Sequence, residues 1–221
     1  MHKIPRAMGM TALDQKAKSK KVIFLDLDNT LYAYKPCHRY ALNQAYSAYR
    51  KHVEKISWRT FLAFYEKARF RTHRRLRGQA ASHSRLLYFQ NMLETRLGRT
   101  DFKKSLLLEK IYWQAFFSRM KLAPWVRPFL KRMKAEGKRI VVVTDLTTEL
   151  QMKKLLRFRL EKSIDAIVTS EEAGAEKPDP KIFKLAFQKA RCLARQALLI
   201  GDDSQKDIYP LLEFIKVLSV V

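Results

Sequence analysis

The chain has 221 residues, 47% of them hydrophobic, and 45 Lys and Arg against 21 Asp and Glu give a formal net charge of +24. This length and apolar content support one or two domains with a buried core and exclude a wholly disordered chain. No uninterrupted apolar run approaches the roughly 20 residues of a membrane span. Cys37 and Cys192 are too few for a disulfide framework or a thiolate zinc site, so the chain reads as a cytoplasmic protein with reduced thiols.

Met1 to Lys20 is polar, with scattered Lys and no sustained period, and is expected to be a flexible basic leader outside the fold. Val22 to Leu25 then gives four apolar residues in a row, the pattern of a strand buried on both faces of a parallel sheet. Asp26 and Asp28 follow at its carboxyl end, two apart, and extended geometry lets both carboxylates point into one crevice. Two acids so close repel unless a cation lies between them, and Mg2+ is held by such carboxylates together with water and phosphate oxygens.

After Leu31 the period lengthens from strand to helix. Leu42, Ala45, Tyr49, Val53 and Ile56 form one apolar stripe on a helix over about 39–55, and Ser57 offers an N-cap for a second that stops near Gly78. Segments 84–97 and 105–117 read as a third and a fourth, so 33–122 is expected to be a four-helix insert whose aromatics are bundle core. The charge is concentrated here: residues 32–122 hold 20 Lys and Arg against 5 Asp and Glu, whereas 123–221 hold 19 against 13. The densest run is Arg69 to Arg77, readable as a solvated helix face or as a phosphate or nucleic-acid surface, and His73 and His83 within and beside it read as ordinary surface histidines.

From Pro124 strands and helices alternate. A helix over 124–136 precedes a strand over 139–143 that ends in Thr144 and Asp145. A helix over 147–160, a strand over 165–168, a helix over 180–190 behind Lys177-Pro-Asp-Pro180, and a strand over 197–200 follow. That last strand runs into Gly201-Asp-Asp-Ser-Gln-Lys-Asp207, and a short helix and a strand over 217–221 are expected after it. Strands separated by helices predict a parallel sheet with right-handed crossovers, whose crevice lies beyond the strands' carboxyl ends. Asp26 and Asp28, Thr144, and Asp202 with Asp203 all fall there, with Lys177 entering from a loop. Carboxylates for a metal, a hydroxyl and an ammonium form the inventory of phosphoryl transfer.

Four segments in order, Asp26-Leu-Asp-Asn-Thr30, Val-Val-Val-Thr144, Glu-Lys177-Pro-Asp-Pro and Gly201-Asp202 with Asp207, make the chain resemble the haloacid dehalogenase superfamily over about 21–208. The likeness is to its phosphatases with an inserted helical cap of C1 type. The resemblance implies an α/β fold, a Rossmann-like parallel core formed by 21–32 and 123–221 with a helical cap over 33–122. It implies that Asp26 is the nucleophile of an aspartyl-phosphate and that Asp28 protonates the leaving oxygen and then activates water. Thr144, Asp145 and Lys177 would bind the phosphoryl group, with Asp207 orienting Lys177. Mg2+ would be held by Asp26, Asp28 through its main-chain carbonyl, Asp202 and Asp203. The dehalogenases of the superfamily lack the second acid, so Asp28 favours a phosphatase acting on a small phosphorylated metabolite of the nucleotide or sugar phosphate class. The motifs leave phosphomutase open. The alternative from another class is a nucleic-acid-associated protein that binds through its basic cap, with or without end-phosphatase activity. After Asp207 the sequence Ile-Tyr-Pro-Leu-Leu departs from the small residues and glycine of relatives, which suggests a shortened end to the sheet.

Overall fold

A computed structural model describes residues 10–208 of the chain. Helix α1 (Met10–Ala17) leads to strand β1 (Val22–Leu25), which among the described residues lies inside a four-stranded, all-parallel sheet with β2 (Arg139–Thr144), β3 (Ala166–Thr169) and β4 (Ala197–Ile200) in the order β3-β2-β1-β4. The apolar run of β1 is buried along its whole length, as a strand with neighbours on both edges and helices on both faces requires. Its register pairs Leu25 with Val142 on one side and Ile200 on the other, and the amide of Asp26 donates to the carbonyl of Ile200 at 2.9 Å. The chain moves outward from β1 through β2 to β3 and then crosses back to β4. The strand order therefore reverses between β1 and β4, the point outside whose carboxyl ends ligands bind in open parallel sheets.

Helices α6 (Val126–Ala135), α7 (Thr148–Arg157), the short α8 (Ser170–Ala173) and α9 (Pro180–Ala190) belong to the same unit, which among the described residues covers 10–33 and 121–208. Phe24 and Val22 of β1, Val141 and Val143 of β2, and Ile182, Phe183 and Phe187 of α9 share one core, with Phe24 and Phe187 edge to face at 5.1 Å. Asp179 caps α9 through Lys181 N at 2.8 Å, and Pro180 takes the first helical position, where no amide hydrogen is needed.

The leader is not wholly outside the fold. Met10–Ala17 is helical, Asp14 pairs with Arg132 at 2.9 Å, and the buried Lys138 donates to the carbonyls of Ala17, Lys18 and Lys20 at 2.8, 3.2 and 2.8 Å. An ammonium at a helix C-terminus satisfies carbonyls that lack intrahelical partners. This partner lies far along the sequence, so the local pattern gives no sign of the helix. The expected helix and strand after Asp207 lie outside the described residues.

The second unit, residues 34–120, is helical. Helices α2 (Tyr34–His52), α3 (Trp58–Arg75), α4 (Arg85–Leu97) and α5 (Phe102–Arg119) pack α2 on α5, α3 on α4 and α4 on α5. Ser57 and Ser84 cap α3 and α4 by accepting from Thr60 N and Leu87 N, and Gly98 ends α4 at φ 69°, a left-handed turn that needs no β-carbon. α5 starts earlier than expected because Asp101 serves as its cap, accepting from Lys104 N at 3.0 Å. The bundle core is aromatic: Tyr49, Phe61, Tyr65, Tyr88, Phe89, Tyr112 and Phe116 are fully buried. Arg85 is buried among them, its guanidinium over the rings of Tyr88, Tyr112 and Trp113. His73 and His83 are half-buried rather than superficial; their rings meet at 4.6 Å, and His73 bonds the Tyr88 hydroxyl at 2.7 Å. Within the basic run Arg69, Arg71, Arg74, Arg75 and Arg77 are exposed, and Arg71 and Arg75 border a surface depression with Asn91, Glu94 and Thr95. Among the described residues no helix is long and apolar enough to cross a membrane.

Candidate active site

The loop after β1 builds the centre. Asn29 takes φ 66°, a conformation that Asn tolerates better than most residues, and the chain folds back so that the Leu31 amide reaches the Leu27 carbonyl at 3.0 Å. Thr30 Oγ1 thereby donates to Asp26 Oδ2 at 2.7 Å. The other oxygen of Asp26 accepts from Lys177 Nζ at 2.8 Å, and the same ammonium donates to Asp207 Oδ1 at 2.6 Å. Lys177 arrives on the loop before α9, fixed by its own amide, which donates to Asp145 Oδ1 at 2.9 Å. Asp26, Lys177 and Asp207 are all buried.

The charges do not balance. Carboxylate oxygens of Asp26, Asp202 and Asp207 lie within 4.8 Å of one another around this single ammonium. Burial raises Asp26 to about 7, with the nearby Asp207 adding to the rise and Lys177 opposing it. Asp202 is raised by burial and by Asp207, and Asp145 by burial against the pull of Lys177. Burial alone would lower Lys177, but Asp26, Asp207 and Asp145 hold its ammonium above the usual lysine range. Surplus negative charge in a buried acidic cluster is relieved by a proton or by a cation. Three carboxylates so close form a donor set that fits a hard divalent cation such as Mg2+.

The sequence-predicted residues divide between two clusters. Asp26, Lys177, Asp202 and Asp207 meet in the first. Asp203 is nearby, but its carboxylate accepts from Gln205 N and Lys206 N at 3.0 and 3.2 Å, turning away to cap the turn over 204–208. The third acid beside Asp26 and Asp202 is thus Asp207. Asp28 turns its side chain to the second cluster, where Lys154 Nζ donates to both its oxygens at 2.7 Å, Gln151 Nε2 donates to Oδ2 at 3.2 Å, and the Tyr32 hydroxyl donates to Oδ1. Burial pushes the Asp28 carboxyl up, but Lys154 and these hydrogen bonds outweigh it and hold the group below the ordinary aspartate value, as a carboxylate. Thr144 ends β2 buried, its Oγ1 accepting from Gln151 Nε2 at 2.7 Å.

The sequence reading missed Tyr32, Gln151 and Lys154. On α7 the residues facing inward are Gln151, Lys154, Leu155 and Phe158, at steps of three, one and three. A glutamine and a lysine on the apolar stripe of an amphipathic helix were the signal that could have found them.

Gly201 is held to glycine by contact. A β-carbon there would stand 2.2 Å from Asp207 Oδ2 and 2.6 Å from its Cγ. Gly201→Ala should displace Asp207 from Lys177, lower stability by about 1–3 kcal/mol and reduce turnover, as measured by urea denaturation and a phosphatase assay. An unchanged denaturation midpoint would contradict the close contact.

A family model for haloacid dehalogenase-like hydrolases matches residues 20–212. The ribulose-1,5-bisphosphate 5-phosphatase of Halopiger xanaduensis is 36% identical over 186 residues, covering 84% of this chain and 78% of its own. The glyceraldehyde 3-phosphate phosphatase of Methanopyrus kandleri is 29% identical over 189 residues, covering 85% and 78%. Among solved structures, a HAD phosphatase from Thermococcus onnurineus superposes with a TM-score of 0.65 at 22% identity, over 87% of this chain and 82% of that one. With the family model spanning most of the sequence and the fold and motif order in agreement, the chain belongs to the haloacid dehalogenase-like hydrolases and is an enzyme.

Proposed function

We propose that the chain is a Mg2+-dependent phosphomonoesterase that acts through an aspartyl-phosphate on a small phosphorylated metabolite, with sugar phosphates as the class the relatives favour. The observation that carries this reading is the position of Asp26: one carboxylate at the end of the central strand, shared between Thr30 and Lys177 and bordered by two further acids. Asp26 attacks the phosphorus in line, and the ester oxygen leaves. Lys177 Nζ and the Thr144 hydroxyl are the donors available to the phosphoryl oxygens, and Asp207 keeps the ammonium on station. Asp28, held ionised by Lys154, is in the form that takes a proton from the water that splits the aspartyl-phosphate; returning that proton to a leaving oxygen completes the cycle. Asp26, Asp202 and Asp207 would hold the divalent ion, which supplies positive charge against the transferring phosphoryl group.

The reading predicts that EDTA abolishes hydrolysis of a sugar phosphate panel and that Mg2+ restores it; full turnover in EDTA would sink the metal dependence. Because Asp26 holds a proton up to about pH 7 in the metal-free protein, Mg2+ binding should release protons and weaken as pH falls from 8 to 6, which calorimetry in two buffers of different ionisation enthalpy would measure. A nucleic-acid role, the alternative that the charge of the insert suggested, draws no support from these relatives.

A further inference from the structure

Gln151 and Lys154 lie one turn apart on α7, both with no exposed surface, and between them they touch three residues from two segments, the loop after β1 and the end of β2. Lys154 Nζ reaches both oxygens of Asp28 at 2.7 Å. Gln151 Nε2 lies 3.2 Å from Asp28 Oδ2, 2.7 Å from Thr144 Oγ1 and 2.5 Å from the Asp145 carbonyl. Reversing the amide would aim Oε1 at the Asp28 carboxylate and the Asp145 carbonyl, both acceptors, so the orientation is fixed by chemistry. Gln151 Oε1 has no partner and is buried, a cost offset by the two hydrogens of Nε2, which three acceptors share.

The contact with Gln151 constrains the Thr144 hydroxyl. Its Oγ1 accepts from Gln151, so its own hydrogen must point elsewhere, and the acceptor within reach is the Asp145 carbonyl at a long 3.4 Å. That hydrogen is better spent on a phosphoryl oxygen. Lys154 likewise fixes where the carboxylate of Asp28 points, because an ammonium at equal distance from both oxygens sets its direction.

We propose that Gln151 and Lys154 are positioning residues of the reaction: one buried helix face locks the proton-carrying carboxylate of Asp28 and the phosphoryl-binding hydroxyl of Thr144 into a single geometry. The inference rests on the phosphatase reading above. In the step concerned, Asp26 forms a P–O bond as the ester P–O bond breaks; the negative charge of the bound phosphate favours the protonated form of Asp28, and the departing oxygen takes that proton. An alkoxide leaving group needs that proton, whereas p-nitrophenolate leaves without it.

The test compares kcat/KM, which reports steps up to the aspartyl-phosphate, on glycerol 3-phosphate and on p-nitrophenyl phosphate. Lys154→Met should lower kcat/KM on the alkyl ester by on the order of a hundredfold while sparing the aryl ester, with Lys154→Arg recovering part of the loss. Gln151→Leu acts through Thr144 as well and should lower both esters together. In an Asp28→Asn background, adding Lys154→Met should change neither value; this double variant removes both buried charges, so it decides the matter even if Lys154→Met alone fails to fold. An equal loss on both esters in Lys154→Met, or a further loss in the double variant relative to Asp28→Asn, would overturn the proposal. Failure of the phosphatase reading itself would look different: the wild-type chain would hydrolyse neither ester.

Discussion

Asp26→Asn is expected to abolish phosphate ester hydrolysis, by at least on the order of 10⁴-fold in kcat, without harming the fold. The amide fills the same space, its oxygen accepting from Lys177 and its NH2 facing the Thr30 hydroxyl, which can turn to accept, but it cannot attack phosphorus. In the metal-free protein burial lifts Asp26 to about 7, above its ordinary value. Its favourable contribution is therefore full below the unfolded value, declines as pH rises through the window up to about 7, and is gone above it. The asparagine variant should gain on the wild type over that window and hold a constant lead at higher pH, with both proteins metal-free. Saturating Mg2+ should remove the lead, because the ion stabilises the ionised carboxylate. Chemical denaturation at pH 5, 6, 7 and 8 with EDTA or Mg2+ would measure this, and a variant less stable than wild type at pH 8 in EDTA would contradict the charge imbalance described for the site.

Lys177→Met should be the most damaging single change to stability. Its ammonium bonds Asp26 at 2.8 Å and Asp207 at 2.6 Å, all three groups being buried. Removing one side of a buried ion pair leaves the other uncompensated, at a cost of about 3–5 kcal/mol, and here two acids are left facing each other. Hydrolysis should be lost as well. Lowering the pH toward 5 should recover part of the stability by protonating one acid, and Mg2+ should recover part at neutral pH. A loss below about 1 kcal/mol in urea denaturation would mean that the lysine is not the hub of this cluster.

Much of the core was legible because its signals are local. Val22 to Leu25 reads as a strand buried on both faces, and the end of each parallel strand carries its polar residue into the crevice. Asp26, Thr144 and Asp202 could be gathered on that rule, whereas Lys177 comes from the loop before α9. The roles of Asp203 and Asp207 were harder, because five residues of turn separate Gly201 from Asp207, and no local pattern shows that Asp207 curls back against Gly201 while Asp203 caps the turn. Lys154 was invisible for a different reason. An amphipathic pattern is read by its majority, and one lysine among Leu155, Phe158 and their neighbours passes as a solvated residue, although it is fully buried against Asp28. α1 lacked a signal altogether, since its C-terminus is satisfied by Lys138, more than a hundred residues away. In the helical unit, caps at Ser57 and Ser84 were readable, but the burial of Arg85 among tyrosines was not: a lone arginine at a helix start gives no hint that rings will cover it.

The account stands on covalent phosphoryl transfer to one carboxylate. Acid-quenching the enzyme during turnover of a phosphate ester labelled on phosphorus, followed by peptide mapping, should place the label on Asp26, and the label should vanish in Asp26→Asn. Label on another residue, or steady turnover with no labelled protein at any quench time and full activity in Asp26→Asn, would contradict it.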